Sequence, residues 1–117
     1  SVNRQSPLQY IAYLFATVSG VSKVGSVTGA SSDVTVDCGF SNGAKFVIIK
    51  DASGSGDWYV YDTARGIVTG NDGYLELNTT NAENTGADYI DPHSSGFIIT
   101  SGFMQSGRTY IFYAIAA

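Results

Sequence analysis

The sequence predicts an all-β fold, an antiparallel β-sandwich of jelly-roll-like form with little or no helix. Its 14 glycines cluster with Ser, Thr, Asn and Asp between short apolar runs, which is the composition of a turn-rich β protein. Several of these runs alternate apolar and polar residues, as half-buried strands do. The runs recur about every ten to fifteen residues without a long helix between them, which favours a sandwich over the alternative of a barrel.

The first predicted strands follow from their apolar patterns. Residues 33–37 (DVTVD) alternate, which is typical of a strand with its valines inward. Residues 45–50 (KFVIIK) are apolar between two lysines and predict a central strand covered on both faces. Residues 51–57 are a turn-rich connection to a strand over residues 58–62, so these two strands are expected to form a hairpin.

The second half of the chain holds three more predicted strands and one weak helical signal. Residues 74–78 (YLELN) alternate and place Leu75 and Leu77 on one face. Two further strands are predicted over residues 96–100 and 110–115. Residues 82–88 are the only stretch that favours a helical turn, and Gly86 weakens that signal.

One sequence pattern occurs twice. Residues 5–16 and residues 105–116 share the pattern QSxxxYIxYxxA, offset by 100 residues. Such self-similarity is typical of tandem arrays of modules. It predicts that residues 1–20 are a terminal strand and linker resembling the end of a preceding module, and that residues 21–117 form one β-sandwich module within a single compact domain.

Charge and composition exclude several functions. The net charge of −4 provides no attraction to phosphate backbones, so nucleic acid is not an expected partner. No run approaches the roughly 20 apolar residues of a membrane span, so we expect a soluble protein without membrane insertion. Ser1 is not preceded by a methionine and no signal-peptide pattern follows it, which favours a processed or excised chain. Cys38 is the only cysteine and lacks zinc-site spacing, which predicts a half-buried structural thiol.

Five segments together carry a resemblance to a known family. They are residues 43–50 (GAKFVIIK), 57–66 (DWYVYDTARG), 74–83 (YLELNTTNAE), 88–97 (DYIDPHSSGF) and 109–116 (TYIFYAIA). Their order resembles a module of the tail-fibre and other virion surface proteins of tailed phages, and it covers nearly the whole chain. The resemblance implies a virion location, on the phage tail or the capsid surface, with other virion proteins or modules of the same fibre as partners. It also implies a homo-oligomer such as a trimer, in which residues 110–117 are a candidate subunit contact.

Candidate catalytic and metal-binding groups have simpler structural interpretations. His93, the only histidine, has Asp91 and two serines, Ser94 and Ser95, nearby, as a catalytic triad requires, but DPHSSG is typical of a turn. A carboxylate pair for glycoside hydrolysis would come from Glu76, Glu83, Asp57, Asp62, Asp88 and Asp91, and no pattern places two of them in one cleft.

The loop between two predicted strands offers oxygen ligands for Ca²⁺. Asp51 and Asp57 flank its glycines, but the loop lacks the alternating Asp and Asn of an EF-hand, which favours a solvated hairpin loop. We therefore predict no catalytic residue, no metal and no cofactor.

Four residues are candidates for ligand binding: Trp58, Tyr59, Tyr61 and Arg65. Strand alternation places Trp58 on one face of its predicted strand and Tyr59 and Tyr61 on the other. One of these faces is expected to be core, and the aromatic side chain on the exposed face is the leading candidate to bind a sugar or a protein. Arg65 offers a planar fork to a carboxylate-bearing sugar, and an internal pair with Asp62 is the alternative.

The expected function is a non-enzymatic virion module that binds a host surface glycan or protein receptor. The alternatives are a structural spacer or capsid-decorating protein in virion assembly, and a polysaccharide-degrading enzyme.

Overall fold

Nine β-strands make up the regular structure of residues 9–117, the part of the chain that the computed structural model describes. They are β1 (Ser22–Thr28), β2 (Val34–Asp37), β3 (Ala44–Asp51), β4 (Tyr59–Asp62), β5 (Asp72–Glu76), β6 (Asn84–Ala87), β7 (Ile90–His93), β8 (Gly96–Ile99) and β9 (Thr109–Ala116). The prediction of an all-β sandwich is confirmed. Nothing in the described residues is a helix long and apolar enough to cross a membrane.

The strands form two antiparallel sheets of unequal size. One sheet has six strands in the order β1-β9-β3-β4-β5-β6, and the other has three in the order β2-β8-β7. A jelly roll has eight strands in two Greek keys, so this division into six and three strands is a sandwich of a different form. The last strand, β9, pairs with β1 on one side and with β3 on the other, so it joins segments that are far apart in the sequence.

The core lies between the two sheets. Val47 and Ile49 of β3 are fully buried on the inner face of the six-stranded sheet, and Phe97 of β8 is fully buried opposite them. The rings of Phe97 and Phe112 meet edge to face with centroids 5.5 Å apart. Burial of each such side chain stabilises the fold by about 1.5–3 kcal/mol, so these contacts hold the sheets together.

The structure agrees with the predicted strands in the first half of the chain. Val36 is buried on β2, and β3 and β4 form the expected antiparallel hairpin. On β3, however, only the inner face is fully buried, because the outward-facing Phe46 and Ile48 are half-buried. The expectation of a central strand covered on both faces is therefore met on one face and only in part on the other.

Two predictions for the second half are corrected. Residues 82–88 do not form a helical turn, because Asn84–Ala87 is strand β6 and pairs with β5. Leu75 and Leu77 share a face, but it is the outer one, since Leu75 pairs with the outward-facing Val60 and Leu77 is 62% exposed. The side chain that enters the core from β5 is Tyr74.

The predicted terminal strand within residues 1–20 falls partly outside the described residues, which begin at residue 9. Residues 9–17 are in no strand ladder, and Val18 forms a single bridge with Ser22. Only the part of the first repeat from residue 9 onward can therefore be compared with β9.

The two strands β2 and β8 lie close together beside Cys38. A Cβ atom on Gly96 would collide with the carbonyl oxygen of Val36 and lie 3.1 Å from the Cys38 nitrogen. Cys38 is itself buried, and this burial raises the pKa of its thiol to about 11. The thiol is therefore protonated at neutral pH and packs as a small apolar group.

We expect the substitution Gly96→Ala to lower the free energy of unfolding by about 1–3 kcal/mol, because the added methyl group has no space between the strands. Urea denaturation would measure the change. Gly86→Ala is the matched control, since the nearest atom to a Cβ there is Asn84 Oδ1 at 3.7 Å. An equal effect of both substitutions would contradict the close approach of β2 and β8.

Candidate functional site

One depression among the described residues is an apolar groove of about 760 Å³ on the outer face of the six-stranded sheet, which we call the outer groove. Its lining is formed by Tyr13, Phe15, Val24, Gly25, Ser26, Ile48, Trp58, Leu77, Asn78, Ile111, Phe112 and Tyr113. Its hydrogen-bonding groups are the side chains of Ser26 and Asn78, the hydroxyls of Tyr13 and Tyr113 and the indole N–H of Trp58, and the rest of the wall is apolar. Such a surface fits an apolar partner better than a sugar.

Strand pairing explains why the outer face is apolar. Residues that lie directly opposite each other on neighbouring strands project from the same face of a sheet. Tyr113 on β9 lies opposite Val24 on β1 and Ile48 on β3, so these three side chains share the outer face. Phe15 covers part of this face, with its ring centroid 4.6 Å from that of Tyr113.

Trp58 is held at the edge of the outer groove by the residues around it. Its backbone nitrogen donates to Asn78 Oδ1 at 2.8 Å, and Asn78 Nδ2 donates to Asp57 Oδ1 at 2.7 Å. The ammonium group of Lys50 lies 5.7 Å from the centre of the indole ring, within the range of a cation–π contact. Trp58 directly precedes β4 and is 38% exposed, so it is the surface aromatic residue of this part of the chain.

The second depression is a cleft of about 220 Å³ at one end of the sandwich, which we call the end cleft. It lies where the β3–β4 loop meets the segments that precede β7 and β9. Its lining is formed by Asp51, Ser55, Gly56, Tyr59, Tyr89, Gly102, Phe103, Gln105, Arg108 and Tyr110. In contrast to the outer groove, this cleft combines aromatic rings with charged and amide groups.

An ion pair forms one wall of the end cleft. Arg108 Nη1 donates to Asp51 Oδ2 at 2.6 Å, and this hydrogen bond is the main reason that the pKa of Asp51 lies below its ordinary value. Asp51 Oδ1 also accepts the backbone N–H of Ser53 at 2.8 Å. Arg108 remains partly exposed, with 41% of its side chain accessible. Its other N–H groups are therefore available to a ligand.

Aromatic rings form the opposite wall. Tyr59 packs edge to face on Phe103, with centroids 5.1 Å apart, and on Tyr89 at 6.1 Å. Desolvation, together with the negative charges of Asp57 and Glu76, raises the pKa of Tyr59 to about 12. The hydroxyl of Tyr59 is therefore protonated and acts as a hydrogen-bond donor at neutral pH.

The four sequence-predicted binding residues do not come together. Trp58 borders the outer groove, whereas Tyr59 lines the end cleft. Tyr61 is fully buried in the core, so its side chain is not accessible to a ligand. Arg65 forms an ion pair with Asp62 at the other end of the β3–β4 hairpin, as the internal alternative expected.

The other members of the end cleft were not identified from the sequence. Arg108 and Asp51 are 57 positions apart, and Tyr89 comes from a third segment. No local pattern marks such residues, because the sheet topology alone brings them together. The one available signal was the sequence position of Arg108, which follows a Ser-Gly turn directly before an apolar strand.

The candidate triad is not assembled among the described residues. His93 Nδ1 contacts its neighbour Ser95 Oγ at 3.0 Å, while Asp91 Oδ1 accepts the backbone N–H of Gly70 at 3.0 Å. The two central residues of the turn between β7 and β8 are Ser94 and Ser95. This arrangement is a hairpin turn in which Asp91 holds a neighbouring loop.

The candidate cation ligands are also engaged elsewhere. Asp51 pairs with Arg108, and Asp57 accepts from Asn78. Across residues 9–117 there is no cluster of three or more His, Cys, Asp or Glu side chains that would hold a metal ion.

Asp72 is a buried carboxyl group outside both depressions. It is 1% exposed, and its Oδ1 accepts the backbone N–H of Val68 at 2.7 Å. Its Oδ2, like the hydroxyl of Tyr61, has no hydrogen-bond partner in the described part of the chain. Desolvation raises the pKa of Asp72 to about 6, with smaller contributions from Asp91 and Asp88.

The fold and its two depressions define a β-sandwich module with a groove on one sheet and a cleft at one end. The chain belongs to the family described as a domain of unknown function (DUF7483), whose family model matches residues 1–117. No curated protein and no solved structure matches the chain.

We expect stability to depend on pH through Asp72. An ordinary Asp has a pKa of about 3.9, so between about pH 4 and 6 the folded state binds more protons than the unfolded state, and the free energy of unfolding falls as the pH rises. The loss should be on the order of 1–3 kcal/mol and complete above that window. Urea denaturation at pH 4.5 to 7.5, run in about half-unit steps, would measure it.

Asp72→Asn is the matched variant, because it keeps the shape of the side chain and removes its titration. It should reduce the pH dependence across the same window and leave the part that comes from Asp88, whose pKa burial also raises. Asp51 contributes to stability with the opposite sign, because its pKa is lowered. Its contribution changes only at pH values below the ordinary pKa of an aspartate, so it does not overlap the window in which Asp72 titrates. Identical slopes for the two proteins would rule out Asp72 as the cause.

Proposed function

We propose that this chain is a non-enzymatic binding module of a phage virion surface protein and that it binds a host surface glycan at the end cleft. The observation that carries the proposal is the combination, in one cleft, of exposed polar groups from Arg108 and Gln105 with the aromatic side chains of Tyr59, Tyr89 and Phe103. The virion setting comes from the resemblance of the sequence motifs to tail-fibre modules.

The chemistry of the cleft suits a sugar. Sugar rings have apolar C–H faces and polar edges, so a binding site needs both aromatic surface and hydrogen-bonding groups. The rings of Tyr89 and Phe103 provide the surface, with centroids 5.1 Å apart. Arg108 provides a planar fork that matches a carboxylate or vicinal hydroxyls, and it is already oriented by Asp51.

The size and position of the cleft agree with this ligand class. Its 220 Å³ is below the range of about 300–1,000 Å³ that encloses a drug-sized molecule, so it accommodates one sugar unit of a larger chain. The cleft opens at the loop end of the sandwich, where the rest of a polysaccharide can extend into solvent. Binding groups that loops position on a rigid β-scaffold are common in β-sandwich proteins.

We expect Arg108→Gln to weaken glycan binding about tenfold or more, because it removes a charge-assisted hydrogen bond worth about 1.5–3 kcal/mol. The purified chain would be tested on an array of bacterial surface glycans, followed by titration calorimetry on each glycan bound. Circular dichroism and thermal unfolding would confirm that the variant is folded. Tyr89→Phe is a second variant, which removes only a hydroxyl group from the cleft.

Arg65→Gln is the matched control, since it removes the same group from an aspartate pair at the opposite end of the hairpin. Binding that survives Arg108→Gln and is lost with Arg65→Gln or with Trp58→Ala would place the site elsewhere. Absence of binding by the folded chain would favour the alternative of a structural spacer or assembly protein.

A further inference from the structure

We propose that the outer groove is a contact site for a second copy of this chain, and that its occupant is the segment of residues 10–16 of that copy. The two copies are related by a two-fold axis, so each supplies one segment and one groove. This inference concerns a different surface from the end cleft and does not depend on glycan binding.

The first argument is that the outer face of the six-stranded sheet is apolar. The three-stranded sheet covers the inner face of this sheet and leaves the outer face open. An antiparallel sheet with one solvated face normally alternates apolar and polar residues. Here the outward positions of the neighbouring strands β9 and β3 include Ile111, Tyr113 and Ile115 on β9, with Phe46 and Ile48 on β3. A face of this composition indicates a partner.

The second argument is that the chain segment nearest to this face covers only part of it. Among the described residues, Phe15 packs on Tyr113, and Tyr13 reaches the rim of the groove while remaining 80% exposed. Ile11 and Leu14 are 82% and 92% exposed. The segment therefore rests on its own sheet mainly through Phe15 and leaves the apolar side chains of Ile11 and Leu14 largely exposed.

The third argument identifies the occupant as this same chain. Residues 10–16 (YIAYLFA) match residues 110–116 (YIFYAIA) at Tyr, Ile, Tyr and Ala, so the segment has the pattern of the strand that forms the floor of the groove. In β9 the Ile and Tyr of this pattern lie on the outer face beside Val24 and Ile48. The segment therefore carries the same apolar side chains as the face that it would cover, and contact between the two removes both from water.

The fourth argument is that the face is self-complementary. The segment carries no charge, and the charged residues of β3 and β4 that border the outer face, Lys45, Lys50 and Asp62, lie at the two ends of the hairpin. A two-fold arrangement brings identical surfaces together, which is tolerated only where like charges do not meet. Each copy exposes apolar side chains of the segment and a partly open groove, so the segment of each copy can pack in the groove of the other.

Cysteine cross-linking between two differently tagged chains tests the contact directly. One chain carries Leu14→Cys and the other Leu77→Cys, so a mixed disulfide can form only between copies. Leu77 lines the groove and is 62% exposed, whereas the natural Cys38 is buried and does not compete. We expect the mixed dimer to form in high yield under mild oxidation.

The matched control replaces Leu77→Cys by Val68→Cys, a 48% exposed position outside the groove. Mixed dimers should be much less abundant with this chain. Equal yields from both pairs would show random collision and would overturn the proposal.

Sedimentation equilibrium of the unmodified full chain gives an independent readout. We expect a species of twice the chain mass, and we expect Leu14→Asp to weaken its association at least about tenfold, because the substitution places a charge at a position that the proposed contact buries. Val68→Asp should leave association unchanged. A chain that is monomeric at all concentrations, or an assembly that Leu14→Asp leaves intact, would exclude this contact.

Discussion

The contact between Phe112 and its neighbours in both sheets determines how the rest of the molecule is arranged. On β9, Phe112 lies opposite Gly25 of β1, where an added Cβ atom would be 2.8 Å from the phenyl ring. The ring extends over the glycine and meets Phe97 of the three-stranded sheet. One side chain thus fixes the spacing between two neighbouring strands and between the two layers.

This arrangement gives the two faces of the six-stranded sheet different roles. The inner side chains of β9 pack against the second sheet, while its outer side chains form the floor of the outer groove. The end cleft forms where the loops of both sheets meet, and the Asp51–Arg108 pair ties β3 to the loop before β9 there. The chemistry of each depression therefore follows from its place: apolar on the strands, and polar and aromatic at the loops.

Local patterns predicted the strands in which apolar and polar residues alternate. On β5, however, they could not show which face lies in the core. Tyr74 and Leu75 are both apolar, and only the pairing of Leu75 with Val60 shows that tyrosine enters the core. Residues 82–88 gave only a weak helical signal, and the strand at Asn84–Ala87 depends on pairing with β5, which no local pattern shows. Alternation placed Trp58 on the opposite face from Tyr59 and Tyr61, but it could not show which of the two faces is exposed to solvent.

The candidate site was predicted less completely than the fold. Trp58 and Tyr59 border different depressions, and the groups around Tyr59 come from segments that only the folded chain brings together. Side chains that meet across 57 positions leave no periodic signal in a single sequence. The sequence shows the repeated pattern at residues 10–16, but only the structure shows that side chains of this segment are exposed.

The position of β9 also determines the order in which the sheet can form. This strand follows the other eight along the chain, but it lies between β1 and β3, so β1 has no place in the sheet until β9 has joined. During synthesis on the ribosome, the hairpin of β3 and β4 can form early, whereas closure of the sheet waits for a pairing that spans most of the sequence. Folding is therefore expected to be slow, and the apolar strands need protection from aggregation until β9 has emerged from the ribosome.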